Sequence, residues 1–493
     1  MIGLYATMAR VTERASAPTT TGDEPYRGLT ADELVAATRG RLLTRSNRLV
    51  LGAAVDSRLV ADGNLFVALP GERADGHDFV RAAIDAGAAA VLVAREPAGE
   101  VVANSATSIV LVSDTLAAFG QVAAAWRSRF DPLVVGVTGS IAKTSTKEAI
   151  GTVLSAELVT LKNEGNQNNE IGLPLTLMRL RPDHQAAVLE MGMYVGGEIA
   201  DLARMGQPEI GVVTAVQPVH LSRIGTIEAI ERAKGELVEA LPADGVAILN
   251  ADDERVRRMT ARTRARAVLY GFAKDADVRA EAVESAGFGG MRFRIRAAGD
   301  ARDVSIPTLG RMAVHNALAA AAVGLAAGMS LDRVVAGLAA GWSAPNRSSV
   351  VEAGGVAIVD DSYNASPSAV IAALELLAGL PGRRVAVLGE MLELGDDHEP
   401  GHERVGAAAA GVVDALVVIG PAARGIATGA RAGGLAADRI LELPDRESAV
   451  APLVSLLRDG DVVLVKASRG IGLDVLVEDL RASLIGRNRA ATR

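Results

Sequence analysis

The sequence predicts an α/β protein of several domains, built on parallel sheets with helices on both faces. Short, continuously apolar runs recur along the chain, most are separated by stretches of helical periodicity, and nearly all end in Gly, Asp, Glu, Asn, Ser, Lys or Arg. Strands that are apolar throughout belong to sheets covered on both sides, and ligands of such sheets gather beyond the carboxyl ends of the strands. A chain of 493 residues carries an expectation of roughly two to four domains. Hydrophobic residues make up 49% but aromatics only 3%, so the cores must be built from Ala, Val, Leu and Ile.

Residues 1–27 lack a sustained apolar core and read as a flexible tail rather than a signal peptide. LFVAL (65–69) and AAVLVA (89–94) belong to a first domain, 28–128. AAWRSRFDPLVV (124–135) then passes from a helical pattern through charge and proline into a buried strand, which sets the first boundary. LVVGVTG (133–139), AAVLEMG (186–192), IGVVTAV (210–216), VAILNADD (246–253) and the alanine-rich NALAAAAVGLAAG (316–328) fill a central domain, 129–345. GWSAPNRSSVVEAGG (341–355) marks the second boundary. Beyond it VAIVDDSYN (356–364), RVAVLGEM (384–391), ALVVIG (415–420) and VVLVKASRG (462–470) build a third domain, 346–493.

A net charge of −8 argues against a general nucleic-acid binder, which would carry a basic face, but leaves room for local anion sites. With no cysteine, thiol catalysis, disulfides and thiolate metal sites are excluded. No stretch is long and apolar enough to span a membrane, and the expectation is a soluble, cytoplasmic monomer.

GVTGSIAKTSTKE (136–148) carries the first sign of chemistry. A strand, a turn and a helix N-terminus present unpaired N–H groups to an anion; a lysine adds full charge and a hydroxyl can ligate a cation. Gly136, Gly139 and Ser140 make the turn, Lys143 supplies the charge and Thr144 is the candidate metal ligand. Val137 and Ala142 occupy the two glycine positions of a strict phosphate loop, so an ordinary strand-to-helix turn stands beside the nucleotide reading. A positive φ at Ala142 would cost roughly 1–2 kcal/mol; a negative one would cost little.

Taken with NEGNQNNEIGLPLTLMRL (163–180), LEMGMYVGGEIADLAR (189–204), IGVVTAVQPVHL (210–221), ERAKGELVEAL (231–241), DDSYNASPSAV (360–370), LGEMLELGDDHEPGHERVG (388–406) and VKASRG (465–470), that loop resembles the Mur ligases. The resemblance runs from about residue 28 to 485 with the segments in the family's order. It implies a three-domain architecture: a UDP-sugar-peptide-binding domain, a central P-loop ATPase-like parallel sheet, and a C-terminal Rossmann-like domain that binds the incoming dipeptide and closes on ATP. It further implies an ATP- and Mg²⁺-dependent ligation of D-alanyl-D-alanine to UDP-N-acetylmuramoyl-tripeptide through an acyl phosphate, the last cytoplasmic amino-acid addition in peptidoglycan precursor synthesis. A non-catalytic UDP-muramoyl-peptide-binding homologue, or a ligase with a different amino-acid substrate, stands as the alternative.

By the same resemblance, Lys143, Glu190, His220 and Lys234 form the catalytic set. Thr144, Glu190, His220 and a carbamylated Lys234 are the metal ligands. ATP falls to Gly139, Ser140, Ile141, Ala142, Lys143, Thr144 and Ser145, together with Asn316, Arg347, Asp361 and Asn364. Ser57, Arg58, Asn166, Asn168 and Asn169 would meet the UDP-sugar-peptide, and Lys466, Ser468 and Arg469 would face the interdomain cleft. On the residues alone, three asparagines in five also suit a plain polar turn, and KASRG also suits surface charge after a strand. Met312, Ala313 and Asn346 depart from the family pattern, as Ala142 does.

Overall fold

The computed structural model describes residues 27–71, 74–103, 106–218 and 224–491. Among these, strands assemble into three sheets. The first joins β1 (Arg41–Thr44), β2 (Gly52–Ala54), β3 (Asn64–Val67), β4 (Ala90–Val93) and β5 (Ser108–Leu111) in the order β1-β5-β4-β3-β2. All pairs are parallel except the edge pair β1 and β5.

The second sheet contains β6 (Leu133–Thr138), β7 (Thr160–Lys162), β8 (Ala186–Glu190), β9 (Ile210–Val213), β10 (Val246–Asn250), β11 (Arg266–Gly271), β12 (Val278–Ser285), β13 (Met291–Ala297) and β14 (Asp300–Ile306). Its order is β14-β13-β12-β11-β10-β9-β6-β8-β7. The chain leaves β6 for one side of the sheet and returns to the other through β9, so the turn after β6 sits at a topological switch point, where open α/β sheets bind ligands. Register does the rest: Val137 pairs with Glu190 across β6 and β8, and Thr138 with Val213 across β6 and β9. The sheet is not wholly parallel. β12, β13 and β14 form an antiparallel extension, in which MRFRIRA alternates buried and exposed residues and leaves one face open to solvent.

The third sheet joins β15 (Ser349–Ala353), β16 (Val356–Asp360), β17 (Arg383–Gly389), β18 (Ala415–Ile419), β19 (Ile440–Leu443) and β20 (Asp461–Lys466) in the order β15-β16-β20-β17-β18-β19. It is parallel apart from β15, and its register sets Asp360 beside Val465 and Leu388 beside Lys466.

Small side chains let the layers approach closely. In the helix Arg311–Ala326, residues Ala317, Ala319, Ala320 and Ala321 are fully buried in the core that also holds Val135, Ile150 and Val153. A second core belongs to neither of the first two sheets alone: Leu65, Leu92, Phe119 and Trp126 pack with Val134, Leu173, Leu189 and Leu237. Arg127 reinforces that junction by donating to Gly206 O (3.1 Å) and Phe130 O (2.8 Å). The third sheet has its own two cores, to which the preceding segments lend Leu309.

His315, on the alanine-rich helix, is largely enclosed and sits edge-on against Phe272 (centroids 4.5 Å apart). Burial pulls its pKa down to about 4, against the pull of Asp252. The fold therefore binds the neutral imidazole, and this contribution is full above pH 6.5 and lost as pH falls toward 4. His315→Gln should remove a part of the acid sensitivity worth on the order of 1–3 kcal/mol, read as a smaller drop in urea-unfolding stability between pH 7 and 4.5 than the parent chain shows.

Candidate active site

The turn after β6 is shaped by one close approach and one strained residue. A Cβ on Gly139, whose φ is +150°, would lie 1.9 Å from Thr214 Oγ. That hydroxyl is committed, donating to Ile141 O at 2.6 Å. Ser140 N donates to Ala215 O (2.8 Å), and its hydroxyl bridges the Gln217 backbone, accepting from N (2.9 Å) and donating to O (3.1 Å). Ala142 adopts φ 63°, ψ 3°, the left-handed conformation, immediately before the helix Lys143–Ser155. The chain thus keeps a glycine-type backbone with an alanine in it, at roughly 1–2 kcal/mol of local strain.

Lys143 Nζ folds back to donate to Gly139 O (2.8 Å) and Ser140 O (3.4 Å). Burial lowers its pKa; Glu190 opposes the shift and Arg347 adds to it. Thr144 Oγ is buried without a partner among the described residues. So is Oε2 of Glu190, a carboxylate only 1% exposed at the end of β8. Its Oε1 accepts from Asn168 Nδ2 at 2.7 Å. Lys234, on the helix Ile227–Glu239, is 3% exposed, and burial together with the nearby Lys143 ammonium holds its pKa well below the ordinary lysine range.

A cavity of about 420 Å³ is lined by Lys143, Thr144, Asn166, Asn168, Asn169 and Glu190 on one side and by Arg347, Tyr363 and Asn364 on the other. It shares Ser140, Ala142, Asn166, Arg347 and Tyr363 with a larger cavity of about 1100 Å³, which extends past Met312, Ala313 and Asn316 to Lys466 and Arg469. One continuous cleft therefore separates the second and third sheets. Asn316 is tied to the phosphate-loop helix, its Oδ1 accepting from Thr146 Oγ at 3.0 Å. Asp361 is held from two sides, accepting from Ser348 N (3.1 Å) and pairing with the buried Lys466 (2.5 Å). Lys466 also donates to Asn364 O at 2.9 Å, so it shapes the DDSYN turn while lining the larger cavity. Ser468 lines that cavity as well and accepts from Leu392 N at 2.9 Å.

Several sequence-predicted residues sit elsewhere. Ser57 and Arg58 lie outside both cavity linings, and the exposed Arg58 pairs with Asp56 at 2.6 Å. Lys234 lines neither cavity. Asn169 lines the smaller one but spends its Oδ1 on Gly172 N (2.9 Å), capping a short helix. His220 lies outside the described residues. Asn346, in place of a glycine, takes φ 58°, which asparagine tolerates, and donates to Asp360 at 3.0 Å. Sequence reasoning passes over Tyr363, whose ring lies under the guanidinium of Arg347 (4.1 Å) and near that of Arg469 (5.0 Å). An aromatic residue inside a polar strand end was the available signal. It also passes over Asn163, a buried side chain that accepts from Glu190 N at 2.7 Å.

This combination of fold and cleft meets its match among known proteins. Family models described as "Mur ligase family, catalytic domain", "Mur ligase middle domain" and "Mur ligase, glutamate ligase domain" match residues 51–127, 137–324 and 346–469. The chain belongs to the Mur ligase family. Its similar relatives carry one activity in their names. The UDP-N-acetylmuramoyl-tripeptide–D-alanyl-D-alanine ligase of Escherichia coli is 36% identical over 432 residues, covering 86% of this chain and 92% of the relative. The ligase of that name from Bacillus subtilis is 36% identical, covering 88% and 93%. Among solved structures, MurF from Acinetobacter baumannii superposes with a TM-score of 0.84 at 30% identity, covering 93% of this chain and all of that one. MurF ligase from Thermotoga maritima in complex with ADP gives 0.78 at 31% identity, covering 90% and 99%.

The strain at Ala142 has a measurable sign. Ala142→Gly relieves it but loosens the unfolded chain, for a net gain of up to about 1 kcal/mol in urea unfolding. Ala142→Val, a branched side chain in the same conformation, should lose more than about 1 kcal/mol. Equal stability of all three would mean that residue 142 is not left-handed in solution.

Proposed function

We propose that this chain is an ATP-dependent ligase that joins D-alanyl-D-alanine to UDP-N-acetylmuramoyl-tripeptide in the cytoplasm, the last amino-acid addition before the peptidoglycan precursor leaves that compartment. The observation that carries the reading is the pair of buried, unpartnered oxygens on Thr144 and Glu190, beside Lys143 in a cleft whose far wall bears Arg347. The UDP-binding region is taken as 28–128, the ATP-binding region as 129–345 and the dipeptide-binding region as 346–493.

A carboxylate cannot expel oxide, so the terminal carboxylate of the tripeptide must first be phosphorylated. Its oxygen attacks the γ-phosphorus of ATP, the bond to the bridging oxygen breaks and ADP departs. The neutral amine of the dipeptide then attacks the acyl carbon, phosphate leaves, and the nitrogen keeps one hydrogen and loses one proton to the departing phosphate or to water as the amide forms. Both steps crowd anions together, and the site must supply positive charge where it accumulates. Lys143 exchanges its two carbonyl contacts for phosphate oxygens, aided by the N–H groups that open its helix. Arg347, stacked on Tyr363 and lining both cavities, is available to the same phosphates. Asn166 and Asn168, neutral donors and acceptors, orient the sugar-peptide beside Glu190.

Two hard oxygen donors without partners suit Mg²⁺. Thr144 and Glu190 would hold it, with His220 a further ligand by family likeness. When bound, Mg²⁺ neutralises charge on the phosphates. Lys234 fits the family's carbamate, because burial favours the uncharged amine that reacts with carbon dioxide.

Phosphate release measured with Mg²⁺, ATP and both substrates, each omitted in turn, tests the reading. Release that needs both substrates is expected; none, with UDP-tripeptide binding intact, would leave a binding homologue instead. Lys143→Ala should lower turnover by about a hundredfold or more. Arg347→Ala should raise the KM for ATP about tenfold, and an unchanged KM would remove Arg347 from the nucleotide site.

A further inference from the structure

Lys147 stands one turn beyond Lys143 on the phosphate-loop helix and is fully buried, at 0% exposure. Its Nζ donates to Asn163 O (2.7 Å) and Gly165 O (3.2 Å) and lies 3.0 Å from Glu148 Oε1. These three acceptors match the three donors of an ammonium. A methionine of similar length would fill the same space without taking a charge out of water, so packing alone does not call for a lysine here.

The contacts continue from Asn163. Its Oδ1 accepts from Glu190 N (2.7 Å), and its Nδ2 donates to Gln167 O (2.6 Å). Asn168 then reaches the Glu190 carboxylate through Nδ2 (2.7 Å), while its own carbonyl accepts from Gly192 N (2.7 Å). Segment 163–168 is therefore held to the end of β8 at one side and to the phosphate-loop helix at the other, and Lys147 makes the second attachment.

We propose that Lys147 is a positioning residue that couples the phosphate loop to the asparagine segment, so that nucleotide binding helps seat the sugar-peptide beside Glu190. Lys147 lines neither cavity. The identity of the second ligand rests on the function proposed above; the mechanical link does not. By linkage, the sugar-peptide must tighten nucleotide binding by the same factor.

The full chain is compared with Lys147→Met, Asn168→Ala and the double variant. Lys147→Met should weaken UDP-N-acetylmuramoyl-tripeptide binding in the presence of ATP, and ATP binding in the presence of the tripeptide, by a similar factor of about ten, while each ligand bound alone moves by less than about threefold. On the Asn168→Ala background it should add less than about threefold, because the segment has already lost its contact with the Glu190 carboxylate. A tenfold loss of affinity for either ligand bound alone, or effects that multiply in the double variant, overturn the proposal. Should Lys147→Met fail to fold, hydrogen exchange of the parent chain with a non-hydrolysable ATP analogue alone decides it. Slower exchange across 163–170 is expected; protection confined to 139–147 overturns it. Failure of the ligase reading looks different: protection spreads to 163–170, yet no phosphate is released with both substrates present.

Discussion

The buried carboxylate of Glu190 governs the arrangement of the cleft, because a charge held away from water must be met by partners on every side. One oxygen has Asn168 and the other has no protein partner among the described residues. Strand register brings it to the phosphate loop, since Glu190 pairs with Val137 two residues before Gly139. Lys143 feels its field, and the neighbouring lysine Lys234 has no comparable relief. Two lysines and a carboxylate so enclosed leave the site poised for a ligand that brings anions and a cation together. That is what a phosphorylating ligase must accommodate.

The walls of the cleft differ in how firmly they are held. The phosphate-loop side is built on a sheet buried under an alanine-rich helix. The opposite wall hangs from the junction 341–348, where Gly341, Asn346 and Ser348 all take positive φ. Polar contacts cross the cleft, such as that between Ser368 and Gln217. The Gln217 backbone also holds the Ser140 hydroxyl, donating to it through N and accepting from it through O, so a change in the phosphate loop reaches the opposite wall through one residue.

Much of the fold was legible because fully apolar strands leave a strong signal: each of the ten runs read from the sequence contains a strand. The antiparallel strands β12 to β14 were not legible in the same way, because MRFRIRA alternates with charge and offers no continuous run. At the site, the loop, Glu190 and the DDSYN turn could be found because they stand at strand ends. The conformation of Ala142 could not be read, since alanine fits either sign of φ in a written sequence. Tyr363 and Lys147 were hidden for opposite reasons. The first looks like ordinary turn chemistry, and the second like a solvated helix lysine until its carbonyl partners, distant in sequence, are seen.

The core shared by Trp126, Phe119 and Leu92 with Val134, Leu173 and Leu237 has a consequence for how the chain can be divided. A cut near residue 128, although it follows the change in sequence pattern, would split a single apolar interior and leave both pieces with a sticky face. A cut near 346 would sever a strained connector and remove Leu309 from a core that the third sheet otherwise builds from its own residues. The part from 346 onward can therefore be sought as an autonomous fragment. The two preceding parts are better treated as one cooperative unit, in expression and in evolution alike.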